Sequence, residues 1–96
     1  MLLKTIMFDA KSRNWANDQG YNFEFLRITE GFVNDIIRHR GYMYLNQICE
    51  CLGVEWNPED ENPCTRYDGV NRIAFVQFEV FAKPNNSFLV NIIRYD

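Results

Sequence analysis

Residues 21–54 read YNFEFLRITEGFVNDIIRHRGYMYLNQICECLGV, and this stretch decides the fold. Apolar residues recur in it at spacings of three and four, as on one face of an amphipathic helix. Asn22 is the expected N-cap, and Gly41 follows a basic last turn as the expected left-handed stop. We therefore predict a helix over residues 22–40. Its predicted buried stripe consists of Phe25, Ile28, Phe32, Val33, Ile36 and Ile37.

A second, shorter helix is predicted after Gly41, with Gly53 as its end. Its apolar face is formed by Leu45, Ile48, Cys49 and Leu52. The cysteines at 49, 51 and 64 are an odd number, and the first two share this helix, so we expect reduced thiols rather than a disulfide framework.

The C-terminal third predicts a β-hairpin. Residues 72–81 and 88–95 alternate as strands do, and the Lys83-Pro84-Asn85-Asn86-Ser87 segment between them is a loop by composition. A short third strand is expected at 65–67, before an Asp68-Gly69 turn. The face with Ala74, Val76, Phe78 and Val80 is the expected partner of the helix stripe.

The second face of these strands is also apolar, with Ile73, Phe75, Phe81, Leu89, Ile93 and Tyr95. Either residues 1–20 cover it, or it is a contact surface through which a homo-oligomer forms. We predict a helix over residues 2–16, with Trp15 covering the core at its exit. The expected fold is α+β, with two or three helices packed on a small C-terminal antiparallel sheet and residues 1–96 in a single domain.

The composition is 47% hydrophobic and 16% aromatic, which argues for a filled core and against disorder. The apolar run at residues 1–3 ends at Lys4, and no run reaches the length of a signal-peptide core or a membrane span. We therefore expect a cytoplasmic protein without a membrane partner.

The net charge of −3 is unevenly distributed. Residues 1–40 and 66–96 each sum to +1, whereas residues 41–65 carry five acids and no Lys or Arg, a sum of −5. A patch of one sign attracts partners of the opposite sign, so the expected partner is a protein with a basic surface. The alternative is that this segment is a solvated loop with no partner.

The two predicted helices also invite a helix-turn-helix interpretation. A recognition helix needs cations and amides that reach bases and phosphates, but here the outward positions are Asn46, Gln47 and Glu50, with more acids following. Direct nucleic-acid binding is therefore disfavoured, and a nucleic-acid-binding regulator is the alternative function.

Metal binding and catalysis have little support in the sequence. His39 and the cysteines lack the spacing of a zinc site, because a Cys-x-Cys pair on a helix points its two sulfurs to different faces. The chain has one His, two Ser and no glycine-rich phosphate loop, so no nucleophile with a neighbouring base is visible. We expect no metal, no cofactor and no enzymatic activity.

One further pattern points to a biological context. Residues 40–48, RGYMYLNQI, precede Leu52-Gly53, Trp56, an Asn-Pro turn and a C-terminal hairpin. This order resembles small accessory proteins of phages and conjugative elements of Gram-positive bacteria. The resemblance implies a class that includes anti-CRISPR proteins, which are often short, acidic and enzymatically inert and which block basic nucleic-acid-binding surfaces.

The acidic segment and the resemblance together predict a non-enzymatic protein-binding module, acting as an inhibitor through an acidic surface. Aromatic residues flanked by charge form the usual centre and rim of an interface. The predicted partner-binding residues are Tyr42, Tyr44, Glu50, Glu55, Trp56, Glu59, Asp60 and Glu61.

Overall fold

The structure, a computed structural model, describes residues 2–55 and 75–95. This part of the chain forms β1 (Leu2–Phe8), α1 (Gln19–Arg40), α2 (Leu45–Leu52), β2 (Phe75–Lys83) and β3 (Ser87–Tyr95). The strands make one antiparallel sheet in the order β1-β3-β2, with the helices on one side, which we call its inner face. The predicted α+β fold with helices on an antiparallel sheet is confirmed.

The core lies between the two helices and the inner face. Leu26, Val33 and Ile37 of α1 are buried against the sheet and α2. The sheet contributes buried side chains from all three strands, which are Ile6, Phe8, Val76, Phe78, Phe88, Val90 and Ile92. The predicted inner positions Val76 and Phe78 are therefore confirmed, and Val80 packs half-buried at the margin.

The predicted N-terminal helix is wrong, because residues 2–8 form the edge strand β1. Ile6 and Phe8 point into the core, while Thr5 and Met7 point to the other face. The pairing with β3 shifts register between Leu2 and Lys4, a bulge-like irregularity that interrupts the alternation. This interruption explains why the sequence did not look like a strand. Since β1 pairs at the edge of the sheet, it does not cover the second face.

The start of α1 also differs from the prediction. Asp18 is the N-cap, and its Oδ1 accepts the Tyr21 N–H at 2.9 Å, so the helix begins at Gln19 and includes Gly20. Asn22 is instead a buried residue of the first turns. The left-handed stops at Gly41 (φ 90°) and Gly53 (φ 78°) are confirmed.

The buried line of α1 is rotated from the predicted stripe. It runs through Asn22, Leu26, Thr29, Val33 and Ile37, whereas Ile28 and Phe32 are 64% and 54% exposed. Val33 and Ile37 were correctly predicted to be buried, and Phe25 and Ile36 are half-buried against the core. The apolar arc of α1 is wider than its contact with the sheet, so periodicity could not identify the centre of that contact.

Asn22 joins the start of α1 to the tip of the β2–β3 hairpin. Its carboxamide accepts the Ala16 N–H at 2.9 Å and donates to the carbonyl oxygens of Ala16 and Asn86 at 2.7 and 2.9 Å. Trp15 donates its indole N–H to the same Asn86 carbonyl at 3.1 Å and packs half-buried on the core, as predicted. The hairpin tip is thereby fixed to residues 15–22.

Several sequence predictions lie outside the described residues. They are the strand at 65–67, the Asp68-Gly69 turn, the start of the strand at 72–74, and most of the acidic segment.

Candidate protein-binding surfaces

The predicted residues Tyr42 and Tyr44 lie together just before α2. Their rings meet edge to face with centroids 5.6 Å apart, and the Arg40 guanidinium lies 4.7 Å from the Tyr42 centroid. Arg40 also donates to the Tyr42 carbonyl and, at 2.9 Å, to Oε1 of Gln47. We call Arg40, Tyr42 and Tyr44 the aromatic cluster.

The first turn of α2 holds this cluster in place. Oε1 of Gln47 accepts the Tyr44 N–H at 3.2 Å in addition to the Arg40 guanidinium. Both tyrosines are half-buried, and Arg40 is exposed. The cluster therefore presents two rings and a cation whose orientations are fixed before any partner arrives.

Glu50 and Glu55 lie at the other end of α2, and both are exposed. They line an open groove of about 680 Å³ with Lys11, Arg13, Gly53 and Val54, which we call the charged groove. Residues 45–49 of α2 separate Glu50 of this groove from Tyr44 of the aromatic cluster, roughly 9 Å along the helix. The structure thus places Tyr42 beside Tyr44 and Glu50 beside Glu55, in two groups near opposite ends of α2.

The charged groove contains cations that the sequence did not place there. The Arg13 N–H donates to the Gly53 carbonyl at 2.9 Å, and the Asn14 side chain donates to the Cys51 carbonyl at 3.3 Å. Residues 11–14 are thereby held against the end of α2. The local charge of the groove is mixed, because residues distant in sequence bring Lys11 and Arg13 beside the two acids. The predicted partner residues Trp56, Glu59, Asp60 and Glu61 lie outside the described residues.

The second face of the sheet, here called the outer face, exposes several large apolar side chains. Phe75, Phe81 and Tyr95 are 40–47% exposed, and Phe75 stacks on Tyr95 with centroids 5.1 Å apart. From β1, Met7 and Leu2 are exposed on the same face. The sequence predicted the contribution of β2 and β3 to this face, but it missed that of β1.

A polar row crosses the middle of the outer face. Thr5 donates its hydroxyl to Oδ1 of Asn91 at 2.7 Å, and Asn91 donates its amide to Oε1 of Glu79 at 3.0 Å. The three residues come from three neighbouring strands in register. Sequence reasoning missed this row, because its members only become neighbours once β1 pairs with β3.

Cys49, Cys51 and His39 have separate surroundings and form no common site in the described part of the chain. Cys49 is buried in the core, and burial together with the neighbouring Glu50 carboxylate raises the pKa of the half-buried Cys51 thiol. His39 donates from Nδ1 to the Asp35 carbonyl oxygen at 2.8 Å, since a carbonyl can only accept. Within residues 2–55 and 75–95, no group of three His, Cys, Asp or Glu side chains is placed to hold a metal ion.

Neither α1 nor α2 combines the length and the apolar character that crossing a lipid bilayer requires. No protein-family model, curated protein or solved structure matches this chain.

Proposed function

We propose that this chain is a non-enzymatic protein-binding module that contacts its partner with the two ends of α2. The observation that carries the proposal is the aromatic cluster, in which Arg40, Tyr42 and Tyr44 are ordered by stacking and by Gln47. Tyrosine and arginine are enriched among the residues that dominate binding energies. Because these side chains are already fixed, binding through them loses little conformational entropy.

The charged groove supplies the second half of the proposed contact. Glu50 and Glu55 are exposed and stand beside an open concavity, so a cation from the partner can reach them. We propose a partner with a basic surface, in keeping with the five acids between residues 41 and 65. Arg40, Lys11 and Arg13 outnumber Glu50 and Glu55 in the described part of this contact, so Glu59, Asp60 and Glu61 supply the negative field in this proposal.

The biological role that fits such a module is inhibition of a host defence protein by a small accessory protein of a phage or mobile element. The motif resemblance around residues 40–48 and the acidic segment support this proposal. The mode is occupation of a basic nucleic-acid-binding site by a protein surface of opposite charge. A pull-down with the intact chain against host nuclease complexes tests this role directly.

Single substitutions with matched controls test the surface. Tyr42→Ala should weaken partner binding at least about tenfold, whereas Tyr21→Ala, an exposed tyrosine on α1, should leave it unchanged. Glu55→Lys should slow association strongly at low salt, and Glu24→Lys makes the same charge change on an exposed site of α1. Equal effects of Glu55→Lys and Glu24→Lys on the association rate would show that the groove is ordinary solvated surface and not part of the contact.

The alternative function is a nucleic-acid-binding regulator of helix-turn-helix type. In α2 the polar side chains are already engaged or acidic: Gln47 is bonded to Arg40 and Tyr44, Oδ1 of Asn46 is buried, and Glu50 repels phosphate. We therefore expect no tight complex with duplex or single-stranded DNA in gel-shift assays at low salt. Tight, salt-sensitive binding would reverse this preference.

A further inference from the structure

The outer face of the sheet is separate from both ends of α2 and carries its own inference. Three aromatic side chains are each nearly half exposed there, and an aromatic side chain has about 150–250 Å² to bury. A contiguous exposed apolar patch often marks an interaction site, whereas single exposed apolar residues do not.

Thr5 and Asn91 of the polar row can be buried because they hydrogen-bond to each other, whereas the Glu79 carboxylate, on the edge strand β2, has to stay at the solvent-exposed rim of a contact. Asn91 lies between its two neighbours, accepting a hydrogen bond from the Thr5 hydroxyl at 2.7 Å and donating one to the Glu79 carboxylate at 3.0 Å. Polar groups that are already hydrogen-bonded to one another lose less when water is removed. The face can therefore meet an apolar partner without leaving Asn91 unsatisfied.

The two edges of the outer face differ in a complementary way. The β2 edge is aromatic and ends at Lys83, while the β1 edge is aliphatic, with Met7, and continues to Asp9. In register, Phe81 and Met7 lie on opposite sides of Leu89 in the central strand. Lys83 pairs with Ser87, and Asp9 follows Phe8, the partner of Phe88, so Lys83 and Asp9 share the next row.

Lys83 and Asp9 lie too far apart to neutralise each other within one chain. Two strand spacings separate the edges, about 10 Å, and the described residues contain no salt bridge between them. Both residues line one open concavity of about 480 Å³ together with Met7, Lys11, Trp15 and Ser87. Their register with Phe81 and Met7 places them on the outer side, where Lys11 stands beside Asp9 and reduces the local negative charge.

We propose that the outer face binds a second copy of this chain, face to face, about a two-fold axis parallel to β3. Such an axis exchanges the two edges, because β3 is the central strand. Phe81 of each copy then lies over Met7 of the other, Leu89 meets its own counterpart, and Lys83 faces the opposite copy's Asp9. An isologous contact of this kind requires a self-complementary surface, which this face provides.

The outer face is small for a dimer interface. Three strands of up to nine residues cover roughly 30 by 15 Å of sheet, which is less than the approximately 800 Å² per partner that stable complexes bury. An interface of this size belongs to the class of weak, transient complexes. Dimer formation should be concentration-dependent.

Sedimentation velocity of the full chain from about 1 to about 500 µM tests the proposal, and we expect a mass that rises from monomer to dimer. Leu89→Arg places like charges against each other at the axis and should weaken the dimer at least about a hundredfold. Ile28→Arg is the matched control, since it removes an exposed aliphatic side chain from α1, and it should leave the dimer unchanged. Thermal unfolding of both variants checks that the monomer remains folded.

A charge-swap experiment distinguishes binding of a second copy from binding of any other partner. Lys83→Asp alone and Asp9→Lys alone each create like-charge contacts, so each variant should dimerise at least about tenfold more weakly than the wild type. Mixed together, the two variants restore opposite charges at both contacts and should form a heterodimer of near wild-type strength. Since the Asp9 carboxylate also accepts the Lys11 N–H, Asp9→Asn serves as the milder variant, with a smaller loss expected.

A wild-type chain that stays monomeric to about 500 µM overturns the proposal, as does a mixture that fails to dimerise although both variants are folded. Equal effects of Leu89→Arg and Ile28→Arg would also overturn it. None of these results bears on the proposed contact at α2, which Tyr42→Ala and Glu55→Lys test separately.

Discussion

The Asn34 side chain pairs with both backbone groups of Val76. Its Nδ2 donates to the Val76 carbonyl oxygen at 2.9 Å, and its Oδ1 accepts the Val76 N–H at 2.8 Å. One turn earlier, Oε2 of Glu30 accepts the Phe78 N–H at 2.6 Å. Two side chains of α1 thus occupy backbone groups on the edge of β2, where another strand would otherwise pair.

Asn34→Ala should lower the free energy of unfolding by about 1 to 3 kcal/mol, because Val76 loses a donor and an acceptor in a half-buried position. Urea unfolding measures this change, and hydrogen exchange at the Val76 amide should accelerate. Asp35→Ala is the control on the same helix. Its exposed salt bridge to Arg38 should contribute about 0.5 kcal/mol or less, and a larger loss there than at Asn34 would contradict the assignment.

Gly53→Ala and Gly31→Ala should change stability in opposite directions. Gly53 has a φ of 78°, and an added Cβ would lie 2.8 Å from Nδ2 of Asn14 and 3.1 Å from its backbone nitrogen, so we expect a loss of about 2 kcal/mol or more. Gly31 lies exposed in the middle of α1 with nothing within 4 Å of an added Cβ, so alanine should add about 0.5 to 1 kcal/mol. Thermal unfolding of the two variants side by side makes the comparison. A stable Gly53→Ala protein would refute the close approach of residues 13–14.

Leu26 and Phe32 lie on the same helix and separate the observed buried line from the predicted one. Leu26→Ala should cost about 2 to 5 kcal/mol, because its side chain is fully buried. Phe32→Ala should cost about 0.5 kcal/mol or less, because more than half of that side chain is exposed. Chemical denaturation measures both losses. A larger loss of unfolding free energy for Phe32→Ala than for Leu26→Ala would contradict the observed buried line and support the stripe predicted from periodicity.

The pKa of the Cys51 thiol should lie above the ordinary value for a cysteine. Burial is the larger cause of the raised pKa and Glu50 the smaller, so Glu50→Gln should lower the pKa only in part. The native state holds the proton more tightly than the unfolded chain, so this thiol's contribution to stability is present below the ordinary thiol pKa. It is lost as the pH rises through the native pKa. The ¹³Cβ shift of Cys51 follows the titration, and a midpoint at or below the ordinary value would contradict it.

Local signals in the sequence predicted local structure well. Gly41 and Gly53 end their helices, and the Lys83 to Ser87 segment connects two strands, because each depends on neighbouring residues alone. Asn22 was misassigned because its partner Asn86 lies 64 residues away. The same limit applies to the charged groove, where cations from residues 11–13 join acids from residues 50–55. Division of the chain into blocks of charge could not show that these blocks become neighbours.

During synthesis, β1 is made long before β3, the strand with which it pairs. Thr5 and its hydrogen-bond partner Asn91 are 86 residues apart, and β3 is the only strand that β1 pairs with in the described part of the chain. At roughly 5 to 20 residues per second, a ribosome needs about 4 to 17 s to make that intervening length. Throughout that interval Ile6 and Phe8 have no sheet to enter, and Asn22 has no hairpin tip to bind. The sheet therefore cannot form in its native order until β3 has been made.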